Sequence, residues 1–376
     1  MQSADIAIVG GGLVGMALAL ALRQQGIAAE IFEARQRSSA LADQRILALS
    51  HGSRQILESL GVWSAISSTP IKTIHVSQQG GLGRACMTAV EQGVPALGHV
   101  AAASSIAAAL DAAVATAKIV YREGRRVEQT HGTASGINLE CAGDVIPTRL
   151  VVYAEGAIAA DTAAVVRDYG QDAVICTARA ELLSPNVAYE RFTPQGPLAL
   201  LPYAGQLAVV YTCPADQAVV LANLPDADFL ARLQTHFGSR LTFLSVSPRQ
   251  VFPLVLRYRK SPVATRCVWL GNAAQTLHPV AGQGFNLALR DVWELSRILA
   301  GAADPGAASV LSRYAAARRC DRRGVIGFTD GLIRVFGNPN PLLRHARGLG
   351  LMAMDLLPPL RGFIARRMMY GARAWP

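Results

Sequence analysis

The apolar pattern changes period twice within the first thirty-three residues. Residues 6–9, IAIV, form a continuous apolar run of the kind that a parallel strand buried on both faces requires. The run enters GGGLVG at 10–15, and from 13 to 25 Ala and Leu recur at helical spacing, with Gly26 where a C-cap belongs. A second short strand is predicted over 28–32, ending at Glu33. A similar sequence of signals returns late in the chain. Residues 267–270, CVWL, read as a buried strand, 271–286 as a loop rich in glycine, and 286–299 as a helix with Asp291 in its first turns. Between them, at about 73–92 and again at 173–214, alternating apolar runs broken by Gly and Pro predict an antiparallel sheet, with 197–202 and 206–211 as a hairpin. Near the end, Leu360, Phe363, Ile364 and Met368 fall at helical spacing, flanked by Arg361, Arg366 and Arg367 and preceded by Pro358 and Pro359. That is the pattern of a short basic amphipathic helix, suited to an anionic membrane interface or to docking on the protein's own core or a partner subunit.

The first motif is G-x-G-x-x-G between strand and helix, with an acid 18 residues after its last glycine. Each part has a physical task. Gly10 permits the tight turn, Gly12 lets backbone approach a pyrophosphate at the helix N-terminus, Gly15 lets helix pack on strand, and Glu33 can accept hydrogen bonds from a ribose diol. A dinucleotide is implied, and the motif alone does not choose between NAD and FAD. In the second motif, Gly282 and Gly284 flank Gln283, and Pro279 stiffens a loop whose exposed N–H groups can hold an electron-rich ring edge at a helix start.

Composition narrows the partners. At 376 residues the chain has length for two or three domains of about 100–200 residues and for a sizeable core. Hydrophobic residues reach 51% while charged ones are only 16%, against about 25% in ordinary globular proteins, which excludes disorder and hints at an apolar partner. The net charge of +10 is concentrated: residues 301–376 hold 12 arginines against 4 acids. A basic excess confined to the C-terminal fifth points to an anionic surface met there and away from a nucleic acid. The six cysteines form no C-x-x-C pair, so neither a zinc site nor a disulfide framework is expected, and a reducing, cytoplasmic setting is the default. The uncharged run 6–22 has no preceding Lys or Arg and is broken by three glycines, so it reads as strand, turn and helix rather than leader or membrane span.

Taken together, GGGLVG at 10–15, DQRILALS at 43–50, AYERFTPQGPLALLP at 188–202 and GNAAQTLHPVAGQGFN at 271–286 resemble, in order, the FAD-dependent aromatic hydroxylases. Within that family the resemblance is to the ubiquinone-biosynthesis branch, nearest to the 2-polyprenyl-6-methoxyphenol hydroxylases. It implies an α/β fold in which a Rossmann-type FAD-binding domain (1–72, 93–170 and 260–300) is interleaved with an antiparallel-sheet substrate domain (73–92 and 171–259), followed by a helical, basic tail (301–376). It implies FAD held by Gly10, Gly12, Gly15, Glu33, Arg45, Asn272, Pro279, Gly282, Gln283, Gly284 and Asn286, with NAD(P)H or another donor as reductant. The implied reaction inserts one atom of dioxygen into a polyprenylated phenol through a flavin hydroperoxide, which needs no metal. Tyr189, Phe192, Tyr203 and Phe252 are candidates to line the substrate pocket, and His278 is a candidate base for the phenol proton. The implied partners are the membrane surface, met by the tail on its inner face, and a multiprotein quinone-biosynthesis assembly. Three positions depart from the family pattern: Asn272 replaces an Asp, Glu155 replaces an Asp in LVVYAEG at 150–156 with no arginine following at 157–160, and LGHVAAASS at 97–105 offers none either. Fewer cations near the phosphates leave open a flavin-fold subunit that binds or scaffolds without turnover. An NAD-dependent dehydrogenase using the same N-terminal unit is the third reading, and it gives no account of the second motif.

Overall fold

The computed structural model describes residues 5–81, 83–133, 135–156, 158, 164–181, 185–336 and 340–374. Positions 157, 159 and 160, part of the segment without arginine, lie outside the described residues. Ile6–Val9 runs parallel to Ala29–Glu33 on one side and to Leu150–Tyr153 on the other, in register Ile6↔Ala29 and Ile6↔Leu150. Cys267–Trp269 and Tyr121–Glu123 extend this sheet in parallel, and the two-residue strand Val263–Ala264 turns back against Cys267–Trp269 at the edge. Ile6 and Ile8 are fully buried because helices cover the face they point to: Leu13–Gln24, Ala103–Thr116 and Gln283–Leu299 pack there on one continuous core. The three-stranded sheet at 127–148 covers the other face, against Ala7, Val9 and Val151. Burial on both sides is why these strands read as unbroken apolar runs.

The second sheet comprises, among the described residues, nine strands, led by Ala164–Glu181, which is 18 residues long and bulges between Asp168 and Gln171. This strand straddles the boundary expected at 170/171. The hairpin Gly196–Tyr203 with Gln206–Pro214 forms as the pattern suggests. One pairing departs from the expected antiparallel order: Val187–Thr193 lies parallel to Thr73–Gln78. Alternation fixes which face a side chain takes and says nothing of strand direction, and here the connection between the two strands passes through Tyr121–Glu123 and Leu150–Tyr153 of the nucleotide-binding sheet. Helices Ala215–Ala222 and Asp226–Phe237 cover one face of the sheet with Phe229, Leu233 and Phe237. The opposite face is left to a cavity.

Three helices close the chain: Ala308–Phe336, Pro341–Leu356 and Pro358–Tyr370. The last docks through Ala365 and Met369 onto Met87, Ala89 and Leu97. The apolar stripe read from sequence is therefore not one outward face. Ile364 and Met368 turn toward the cavity, and Leu360, at its rim, and Phe363 remain 39% and 41% exposed.

The helix Gln283–Leu299 is fixed to the long helix by ion pairs without water. Asp321, with no accessible surface, accepts from Arg290 Nε at 2.8 Å and Arg318 Nη2 at 2.7 Å, and Arg318 Nε reaches Asp291 at 2.6 Å. Gln275 Nε2 donates to Asp291 at 2.9 Å while its Oε1 accepts from Arg322 Nε at 2.9 Å, and the N–H of Ala372 reaches Asp321 at 2.9 Å. Burial opposes charge on Asp321, but Arg290 and Arg318 more than offset it and push the carboxyl pKa down to about 2. The sign follows: stability from this group is complete above its ordinary pKa of 3.8 and is lost as pH falls through about 2. Asp321→Asn leaves two buried guanidinium groups short of a counter-charge and should cost about 3–5 kcal/mol in denaturant unfolding at neutral pH. A variant with an unchanged midpoint and slope would refute this.

Candidate functional site

A cavity of about 1630 Å³ runs from the glycine turn, along the open face of the second sheet, to the C-terminal helices. It exceeds the roughly 300–1,000 Å³ of an ordinary small-molecule site, so a cofactor and a second ligand fit end to end.

At one end the glycine turn does what its spacing predicts. Gly10 has φ of +109°, and its N–H bonds the carbonyl of Phe32 at 2.8 Å. A Cβ on Gly15 would collide with the Gly10 carbonyl, so this glycine secures helix against strand and does not line the cavity. A Cβ on Gly12 or on Gly284 would meet nothing within 4 Å, and both residues line the cavity: this is open space beside backbone, as a pyrophosphate and a planar ring require. Glu33 accepts from the Gly11 N–H at 2.8 Å and from Arg35 at 2.9 and 3.1 Å. Burial works against its charge, yet these bonds and the Arg35 cation hold the carboxyl below the usual range, so it is ionised where a ribose would lie. Burial and the Glu33 charge push Glu155, also on the cavity, the other way.

The cations that 97–105 does not offer come from elsewhere. Arg35, Arg45, Arg125 and Arg126 line this end, with Arg45 paired to Asp43 at 2.6 Å. Arg35, Arg125 and Arg126 escaped the sequence reading because they sit in no motif. The available signal was the position of Arg35 two residues past the ribose acid. Asn272 donates to the Gly156 carbonyl at 3.3 Å and also faces the cavity.

The loop 279–284 meets the cavity at its middle. Gly282 takes φ of +59°, in the left-handed region that favours glycine, and a Cβ there would press on Ala48 at 3.0 Å. Asn286 locks the loop: its Nδ2 donates to the carbonyls of Gly282 at 2.7 Å and Ala48 at 2.9 Å, and its Oδ1 accepts from the Ser50 N–H at 2.8 Å. Pro279, Gln283 and Gly284 line the cavity beside it. His278 does not. It is 1% exposed, its Nδ1 accepts from the Val280 N–H at 3.1 Å, its ring abuts Tyr169, and burial lowers its pKa to about 4. The expectation of a substrate base there gives way to a residue that shapes the loop.

Beyond the loop the walls turn apolar. Phe192 and Phe252 line the cavity, with Phe192 stacked on Phe336 at 3.6 Å between ring centroids. Tyr189 also lines the cavity, but its parity in the strand is opposite to that of Phe192, and its ring packs against Phe237, 5.3 Å away, beside a small second pocket. Tyr203 packs with Ile71 and Val100, off the cavity. Glu190, which has the parity of Phe192, is on the cavity and was not anticipated.

The model of the FAD binding domain family matches residues 3–329. The chain belongs to that family. The match spans both the glycine turn and the loop 279–284, which the dehydrogenase reading left unexplained. Among curated relatives of this FAD-binding chain, 3-demethoxyubiquinol 3-hydroxylase of Escherichia coli is 33% identical, with 94% of this chain and 95% of the relative covered. Ubiquinone hydroxylase UbiL of Rhodospirillum rubrum is 32% identical, with 97% and 89% covered. Among solved structures, p-nitrophenol 4-monooxygenase PnpA of Pseudomonas putida DLL-E4 has a TM-score of 0.79 at 17% identity, covering 99% of each chain, which shows a shared fold.

FAD is the cofactor of the family, and the open space over Gly12 and Gly284, the ionised Glu33 and the four arginines fit it. Gly12→Ala and Gly284→Ala should therefore fold like the parent protein yet bind FAD about tenfold or more weakly, as read by flavin fluorescence titration. Gly15→Ala should instead unfold more readily even without FAD. Equal FAD affinity in the first two variants would defeat this placement.

Proposed function

We propose that the protein is an FAD-dependent monooxygenase that hydroxylates the ring of a polyprenylated phenol in ubiquinone biosynthesis. The observation that carries the reading is the continuity of one cavity from a phosphate-binding turn to an apolar chamber. The near-full-length relatives named for ubiquinone hydroxylation support the choice of substrate. FAD, once reduced by NAD(P)H or another donor, supplies the two electrons that let one atom of dioxygen enter the ring while the other leaves as water. The chain does the rest. Glu33 and the glycine turn would hold the adenosine half, the N–H groups of 279–284 would serve the flavin ring from a helix N-terminus, and the chamber around Phe192 and Phe252 would keep water from the substrate ring.

Leu332, Phe336, Met354, Leu360 and Met368 line the far end of the cavity, which suits a prenyl chain leaving the chamber. Outside that end, Leu356, Leu357, Leu360 and Phe363 are exposed together on consecutive helices. No helix among the described residues is long and apolar enough to cross a membrane. We therefore assign this rim to shallow, peripheral docking on a bilayer that holds the substrate, with Arg366 exposed beside it.

Two measurements test the reading. Holoprotein given an ortho-prenylated phenol, NAD(P)H and ¹⁸O₂ should yield a product carrying one ¹⁸O atom. Consumption of reductant with peroxide as the only product would sink the assignment. For the rim, Leu356→Glu with Phe363→Glu should abolish most sedimentation with vesicles containing anionic phospholipid while sparing FAD content, and undiminished sedimentation would remove the rim from the membrane.

A further inference from the structure

The strand Val187–Thr193 presents Ala188, Glu190 and Phe192 to the cavity. Across the sheet Glu190 is in register with Val76 on one side and Ala199 on the other, both on the cavity, so the carboxyl stands on an apolar floor. Its Oε1 is buried and bonds nothing. Phe192, two residues along, packs with Val76 and with Val280 of the flavin-facing loop. Two strand positions span roughly 7 Å, about the width of a substituted phenol ring. A ring with its hydroxyl on Glu190 therefore lies beside the loop 279–284, with the prenyl exit beyond it.

An unpaired acid in an apolar chamber costs folding stability, and such groups persist where a ligand completes them. Burial alone pushes Glu190 up to about 7. The ionisable groups on the elements around it do not reach it. His75 and Arg191 lie on the opposite face of the sheet, in a small pocket with Arg240. Tyr203 packs with Ile71 and Val100 and does not line the cavity, and Arg84 and Cys86 lie on the far side of Thr73–Gln78. On the covering helices, Asp330 is paired with Arg167 and Arg334, Arg347 donates to the carbonyls of Val335 and Phe336, and His345 and Asp355 add no charge effect.

We propose that Glu190 accepts the proton of the substrate's phenol hydroxyl and so both orients and activates the ring. The inference rests on the phenol hydroxylase reading above. The O–H bond of the phenol breaks and one forms on the carboxylate, and the electron pair left on oxygen is shared with the ring carbons ortho and para to it. Oxygen from dioxygen enters at one of those carbons, with reduced FAD as the reductant. The ring regains aromaticity by losing the proton of that carbon, which leaves in the water formed from the second oxygen atom, while the proton on Glu190 returns to the phenol oxygen.

The test compares holoenzyme, Glu190→Gln and Glu190→Asp on a phenol with an ortho geranyl chain, between about pH 5 and 9. Because the carboxyl must be ionised, kcat of the parent enzyme should rise with pH through about 7. Glu190→Gln should lose about 10²–10⁴-fold in kcat and that rising limb, with FAD content and the rate of flavin reduction unchanged. Glu190→Asp should restore part of the rate and shift the limb. An independent readout needs no turnover: a carboxyl raised in the fold loses stability as pH climbs from its ordinary 4.5 through about 7, so Glu190→Gln should gain on the parent in denaturant midpoint between those values. Parental kcat with the limb intact in Glu190→Gln overturns the proposal. If the parent enzyme itself makes no hydroxylated product, the functional reading fails, and Glu190 is judged on phenol binding followed by the flavin spectrum. A loss of affinity of about tenfold in Glu190→Gln then supports the contact, and unchanged affinity overturns it.

Discussion

Asp321 and Asp291 are buried against Arg290 and Arg318, and these four residues come from two helices that are separate in sequence. The helix Gln283–Leu299 carries Arg290 and Asp291, and its first turn forms the floor of the loop 279–284. Misplacing it by one turn would strand two charges without water, a penalty of several kcal/mol. The same network takes in Gln275, just before the loop, and the backbone of Ala372, near the end of the described chain. The loop 279–284, which lines the cavity, is thus held by ion pairs outside it, where they cannot compete with a ligand.

That arrangement allows the cavity to change character along its length. Its glycine-turn end has four arginines and an ionised Glu33, its middle has backbone N–H groups, and its far end is hydrocarbon apart from Glu190 and Arg347. A ligand charged at one end would be rejected by the far chamber, and a prenyl chain gains nothing at the near end, so the two occupants sort themselves by desolvation cost. Glu190 breaks the gradient. An acid in the hydrocarbon end serves no packing purpose, and its cost is sensible only if the second ligand brings a hydroxyl.

The nucleotide-binding half was legible because its signals are local. A strand buried on both faces, three glycines at fixed offsets and an acid at the end of the next strand each report a backbone requirement that residues within one βαβ unit satisfy. The second sheet was legible as strands and hairpin, but the parallel pairing of Val187–Thr193 with Thr73–Gln78 was not, since its partner is more than a hundred residues away. Parity decides a strand residue's face, and one step separates Tyr189, turned onto Phe237, from Glu190, turned into the cavity. Aromatic character drew the reading to Tyr189, which lines the cavity, and to Tyr203, which does not, while the polar residue beside Tyr189 went unremarked. His278 misled for a related reason: nearness in sequence to a loop says little about direction, and Val280 had a stronger claim on its ring nitrogen.

The basic tail shows how far a count of charges can mislead about a surface. Of its arginines, Arg318 and Arg322 are buried in the ion network, Arg347 and Arg361 donate to helix-end carbonyls, and Arg361 also meets Glu91. Those cations hold helices together and lend little to a distant anion. Arg313, Arg319, Arg323, Arg334 and Arg366 stay exposed, and the tail also exposes hydrocarbon at Leu349, Met352, Leu356, Leu357 and Phe363. Burying such side chains in the acyl boundary gains about 25 cal/mol per Å², several times what one screened surface cation gives. Docking at the proposed rim would accordingly draw on apolar area and on exposed cations together, and only the second contribution would weaken as salt is raised.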